Sequence, residues 1–185
     1  EVFTGFRLGY HGAQGYFGVQ ADMVTYGKTL GGGLPVGVLC GRRDLMQRFK
    51  PDLPANISFA RGTFNSHPYV LAAMNVFLQR IEQPEYRKLY VRAEATWDAR
   101  IALLNERLRA VNAPVEVANL HTICTVLYRR PSRYNWMFQF YLRDQGLELS
   151  WVGSGRMIMS LNFTEEDFEE VICRFVRAAQ QMSDD

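Results

Sequence analysis

One lysine carries the strongest chemical signal in this sequence. Lys28 stands in the run Met23-Val24-Thr25-Tyr26-Gly27-Lys28-Thr29-Leu30-Gly31-Gly32-Gly33-Leu34-Pro35, where an apolar stretch rises to it and a triple glycine follows. Of the 21 basic side chains only three are lysines, at positions 28, 50 and 88. Lys50 and Lys88 lie in ordinary polar surroundings. Lys28 falls at the end of a short strand expected to be buried, against glycines that let another group approach closely. A lysine in a partly dry cleft holds its proton less tightly and becomes a nucleophilic amine, as a Schiff base with a carbonyl compound requires. Taken alone, a lysine at a strand-to-loop junction is more often simply solvated. The neighbouring motifs decide the reading.

Those motifs occur in a fixed order. They are Glu1-Val2-Phe3-Thr4-Gly5-Phe6-Arg7, Gly12-Ala13-Gln14, Tyr16-Phe17-Gly18-Val19, Gly27-Lys28, Gly31-Gly32-Gly33-Leu34-Pro35-Val36-Gly37 and Gly62-Thr63-Phe64-Asn65-Ser66-His67-Pro68. In this order and spacing the chain resembles the class III aminotransferases, fold type I enzymes of pyridoxal 5'-phosphate. Within them it is most similar to glutamate-1-semialdehyde 2,1-aminomutase and the aminotransferases built like it. The resemblance is specific over residues 1–82 and continues as a pattern of elements to the C-terminus.

The resemblance implies a role for each matching position. Lys28 would tether the cofactor and serve as the base that moves the substrate's α-proton. Gly62 and Thr63 would donate a backbone N–H and a hydroxyl to the cofactor phosphate of a neighbouring subunit, which implies a homodimer with shared active sites. Gly62-Thr63 could equally be a helix-entry loop. Val2 would form an apolar wall beside the cofactor ring, and it could equally be a core valine. Gly32, within the glycine turn, is a candidate contact for the substrate carboxylate. Arg7 is read as a structural salt bridge rather than a substrate ligand, and His67 as a packing residue. An aspartate partner for the ring nitrogen is expected at the position before Glu1, in chains about double this length. The chain therefore reads as the C-terminal half of such an enzyme, and the isolated half is expected to be inactive.

One departure bears on the reaction. The glutamate that true aminomutases carry in a small-domain loop falls on Gly155 in Gly153-Ser154-Gly155-Arg156. Arg156 beside it could recognise an acidic substrate. This favours an aminotransferase, acting on an amino donor and an aldehyde or keto acceptor, over the aminomutase. A non-catalytic half-chain that needs its missing part is the third alternative.

Particular elements must position these groups. The fold class expected is α/β, the C-terminal part of a fold type I large domain followed by an α+β small domain. The boundaries expected are residues 1–84 for the large-domain part, 85–112 for an interdomain helix and 113–185 for the small domain. Residues 1–22, rich in glycine and aromatics, read as an active-site loop segment. Met23–Tyr26 and Val36–Cys40 read as buried strands, and Asp44–Phe49 as a short helix opened by Asp44. Pro68 suits a first helical turn, with Val70, Leu71, Met74, Phe77, Leu78 and Ile81 on one face. A long helix over 85–110 places Leu89, Ala93, Trp97, Ile101, Leu104 and Leu108 on a single stripe. Val115–Val117 and Thr122–Tyr128 read as strands, and Tyr134–Gln145 as a helix stopped by Gly146. Leu147–Trp151 and Met157–Leu161 read as a hairpin. A last helix begins at Thr164, with Asp167 in capping-box position and Phe168, Val171, Ile172, Phe175, Val176 and Ala179 on its buried stripe.

Composition narrows the rest. The chain has 185 residues, 48% of them hydrophobic, and a net charge of +2, a globular composition. No Lys/Arg-dense block with interleaved aromatics occurs, which speaks against a nucleic-acid partner. No apolar run reaches the ~20 residues that cross a bilayer. Cys40, Cys124 and Cys173 are widely spaced, with no CxxC or metal-ligand pattern, so no metal site is expected. Free cysteines suit a reducing compartment, and the cytoplasm is the expected location.

Overall fold

A computed structural model describes residues 1–47, 52, 62–148 and 155–184. Two compact units divide the chain, Glu1–Val91 and Arg92–Asp185.

In the first unit, helix α1 (Gly12–Phe17) interrupts the segment expected to be loop. Strands β1 (Met23–Gly27) and β2 (Gly37–Gly41) form a two-stranded antiparallel sheet, with Met23 opposite Gly41 and Gly27 opposite Gly37. A 3-10 turn, Lys28–Gly31, joins them. Helix α2 (Arg43–Met46) starts one residue before Asp44, which pairs with Arg42 at 2.7 Å instead of opening the helix. Helix α3 (Pro68–Ile81) has its proline at the first turn, as expected.

Both strands form where their apolar runs predict, but they are not buried. Met23 and Leu39 are over 40% exposed. A two-stranded ribbon offers two faces and two edges, and among the described residues no further strand joins it. The apolar stripe of α3 is covered only in part, with Val70, Met74 and Phe77 half-buried. Of its expected core residues only Ile81 is buried, and Leu71 and Leu78 are exposed. The buried apolar side chains described in this unit are Leu8, Leu30 and Ile81.

The second unit closes a core of its own. Helix α4 (Pro84–Ala110) runs across the boundary between the units, and its part beyond it buries Ala93, Trp97, Ile101, Leu104 and Leu108. Leu89, assigned to the same stripe, is exposed, whereas Arg100 is buried. The Arg100 guanidinium lies 4.8 Å from the Trp97 ring centre and donates to the Phe163 carbonyl and to Glu165, each at 2.8 Å. Stacking and charge-assisted bonds offset its desolvation.

Strands β3 (Val115–Leu120), β4 (Ile123–Tyr128) and β5 (Arg156–Ile158) form an antiparallel sheet in that order. Alternating Val115, Val117, Cys124 and Val126 face the core. Burial pushes the Cys124 thiol up to about 12, as expected of an inert packing residue. Helix α5 (Phe138–Asp144) follows a short 3-10 turn, and Gly146 closes it with φ +76°. Helix α6 (Glu165–Asp184) opens with the expected capping box: the Thr164 amide donates to Asp167 at 2.9 Å and the Asp167 amide to Thr164 at 3.1 Å.

The hairpin read around Gly153 takes another form. Leu147 and Glu148 are not in a strand, residues 149–154 lie outside the described residues, and β5 pairs with β4. The β5 strand needs a partner for its backbone, and the edge of β4 supplies it. Leu104, fully buried in this core, offers a direct test. Leu104→Ala is expected to cost about 2–5 kcal/mol, read as a lower denaturation midpoint at unchanged slope.

Candidate active site around Lys28

Strand β1 delivers Gly27, and the 3-10 turn begins at once with Lys28. Lys28 takes the left-handed region at φ +44°, uncommon for a side chain with a Cβ and a conformation that recurs at functional sites. Its side chain is exposed rather than held in a dry cleft, because the strands around it are themselves uncovered. A primary amine thus stands open to an incoming carbonyl.

Val2 lies against Gly27, the residue before Lys28. A methyl group placed on Gly27 would lie 3.4 Å from Val2 Cγ1 and 3.2 Å from the Val36 carbonyl oxygen. The Val36 carbonyl oxygen is the tight neighbour of Gly27, and the apolar face of Val2 lies at ordinary contact distance from the residue preceding the lysine. Gly31 is packed still more tightly, its hypothetical Cβ falling 2.9 Å from Val36 Cγ1. Gly32 ends the turn at φ +58°, and its amide donates to the Thr29 carbonyl at 3.1 Å. Its backbone lies against α3, 3.5 Å from a hypothetical Cβ to the Ala73 carbonyl oxygen.

Residues 1–7 are held on several sides. The Glu1 carboxylate accepts from the Thr4 hydroxyl at 2.7 Å and from the amides of Gln14 at 2.9 Å and Ala13 at 3.1 Å. Burial opposes its ionisation, but the Gln14 amide, the Thr4 hydroxyl and the Ala13 amide outweigh burial and hold the carboxyl below its usual range. Phe6, at φ +60°, stacks edge-on to Phe77 of α3 at 5.1 Å and lies 5.9 Å from Tyr26 of β1. The Tyr90 hydroxyl of α4 donates to the Phe6 carbonyl at 2.9 Å. Arg7 makes no ion pair among the described residues; it donates to the Phe3 carbonyl at 2.9 Å and lies over the Phe3 ring. The expected salt bridge gives way to a local contact, because no acidic group among the described residues pairs with it.

Gly62 and Thr63 are exposed on a turn closed by the Asn65 amide donating to Gly62 at 3.0 Å. That turn leads through Ser66, at φ +57°, into α3. His67 packs between Phe64 and Tyr69. The structure places Val2 against Gly27, next to Lys28, and Gly32 against α3, the helix that follows the loop bearing Thr63. Arg156 and Gly155 belong to the second unit. Gly155 has φ +66°, and a Cβ there would come 3.2 Å from that of Val126, so a glutamate at this position would be strained and crowded.

A cavity of about 670 Å³ opens elsewhere in the first unit, lined among others by Tyr10, His11, Gln14, Val24 and Tyr26, and Lys28 does not border it. Among the described residues no cluster of His, Cys, Asp or Glu is placed to hold a metal ion. No described helix is long and apolar enough to cross a membrane.

Comparison with known proteins agrees with this geometry. A model of the class-III aminotransferase family matches residues 1–179. The glutamate-1-semialdehyde 2,1-aminomutase of Anaeromyxobacter dehalogenans is 39% identical over 132 residues, 69% of this chain and 28% of its own length. That of Methanocaldococcus jannaschii is 37% identical over 145 residues, 78% and 29% respectively. Among solved structures, an omega-transaminase from Sphaerobacter thermophilus superposes with a TM-score of 0.80 at 23% identity, over 97% of this chain and 42% of its own. A transaminase with PLP bound superposes at 0.79 with 25% identity, over 98% and 43%. The fold is that of the fold type I aminotransferases, and the chain spans less than a third of these curated relatives and less than half of these solved ones.

Proposed function

We propose, on the premise that this chain belongs to the class-III aminotransferase family, that it supplies the cofactor lysine and part of the cofactor walls of a pyridoxal phosphate-dependent aminotransferase. The observation that carries this is the contact of Val2 with Gly27 immediately before Lys28. An exposed amine beside an apolar face fits a flat aromatic aldehyde. Pyridoxal phosphate, when bound, supplies that aldehyde and a conjugated ring that stabilises charge at the substrate carbon. Lys28 Nζ would hold the cofactor and, once the substrate's amino group has displaced it, would be the free amine that moves the proton of the amino-bearing carbon. Val2 excludes water from one side. An acidic group preceding Glu1 in the whole enzyme would keep the ring nitrogen protonated. Gly32 is a proposed contact for a substrate carboxylate, and Arg156 is a separate candidate for recognising an acidic substrate. The substrates are a small amino donor and an aldehyde or keto acceptor, and the compartment is the cytoplasm.

The two curated relatives support a second reading, the aminomutase itself. Gly155 counts against it, because a glutamate is disfavoured there. The two differ in stoichiometry. An aminotransferase given only its donor releases one keto product per site and stops until acceptor arrives. An aminomutase isomerises glutamate-1-semialdehyde with no second substrate. One equivalent of product followed by acceptor-dependent turnover supports our reading; sustained isomerisation without an acceptor refutes it.

Gly62 and Thr63 are proposed to serve the cofactor phosphate of a second copy, which makes the whole enzyme at least a dimer. Thr63→Ala is expected to weaken cofactor retention by about 1–2 kcal/mol, about 5- to 30-fold. Equilibrium dialysis of the full-length enzyme reads this, and a fully active monomer would refute it.

A further inference from the structure

We propose that Glu1 is a positioning residue for the Lys28 site, folding residues 1–5 so that Val2 is held against Gly27. The inference rests on the reading of Lys28 given above. Three donors converge on one carboxylate: the Thr4 hydroxyl, three residues on, and the amides of Ala13 and Gln14, which open α1. Two glycines make room for it. A Cβ on Gly12 would fall 2.6 Å from Glu1 Oε2, and one on Gly5 would fall 2.6 Å from the Glu1 carbonyl oxygen. That carbonyl accepts from the Gly5 amide at 2.9 Å and closes the turn that contains Val2. The segment is pinned again at Phe6 by the Tyr90 hydroxyl. Val2, 40% exposed, lies between these two anchors, against the residue before Lys28.

Glu1 reaches no reacting atom. Its carboxylate instead fixes the backbone that sets the depth of the apolar wall, and small displacements of such supports are costly at a binding site. Losing the carboxylate strands two helix-end amides and a hydroxyl at once. The segment then loosens and water reaches the face beside Lys28.

The test uses the full-length holoenzyme with pyridoxal phosphate as probe. Glu1→Ala is expected to raise the cofactor Kd by about 10- to 100-fold and to shift the absorption maximum of bound cofactor. Thr4→Val, which keeps the carboxylate and both amide contacts, is expected to raise Kd by about 5-fold. It decides the matter should Glu1→Ala fail to fold. Borohydride fixation and peptide mapping run beside both, with the thermal midpoint as a control. A lower midpoint with Kd within twofold and an unmoved absorption maximum would overturn the inference while leaving the Lys28 reading intact. Wild-type label on a lysine other than Lys28 would overturn both.

Discussion

Turnover by the 185-residue chain alone is expected to be undetectable, and joining it to the rest of the fold is expected to restore it. Three observations lead there. The solved transaminases it superposes on are more than twice its span. One face of the β1–β2 ribbon is uncovered, with Met23 43% and Leu39 47% exposed. The apolar stripe of α3 is covered only in part, with Leu71 at 48% and Leu78 at 39% exposed. Such edges and faces favour association with other strands, so aggregation of the isolated chain is also expected. Without covering elements Lys28 stands exposed to water instead of in a closed site. The assay compares the chain alone with the same chain joined to the preceding part of its own coding sequence, or mixed with that part as a second polypeptide, with Lys28→Ala as the negative control. Robust turnover by the chain alone would show that the uncovered surfaces are irrelevant to catalysis.

The second unit was far more legible than the first. Its periodicities are satisfied internally: the α4 and α6 stripes meet the alternating valines of β3 and β4 in one core. A sequence pattern predicts burial well when the partners lie in the same unit. Arg100 is one exception, a charge between Trp97 and Ile101 that pattern alone places on the surface side, and stacking, the Phe163 carbonyl and Glu165 explain it. In the first unit the apolar runs located the strands and α3, but burial depends on neighbours that the pattern does not specify. The site showed the same division. Lys28 between Gly27 and the glycine turn was visible in the residues themselves. The Glu1 anchor was not, since it bonds backbone amides twelve and thirteen residues away and backbone donors leave no mark in the side-chain pattern. The glycines at 5 and 12 were its trace. The left-handed Phe6 and its tie to Tyr90 left none.

Removing the lysine should have the largest effect of any single change in the joined enzyme. Lys28→Ala deletes the covalent anchor and the proton carrier together, and a positioned acid–base group alone contributes about 10²–10⁴-fold. Turnover should fall by at least that factor while circular dichroism stays unchanged, because Lys28 is exposed and buries no core. The most direct measurement needs no turnover at all. Holoenzyme reduced with borohydride and digested should carry the pyridoxyl group on the peptide containing Lys28, and Lys28→Ala should carry none. Label on Lys50 or Lys88, or label that persists in Lys28→Ala, would contradict the assignment.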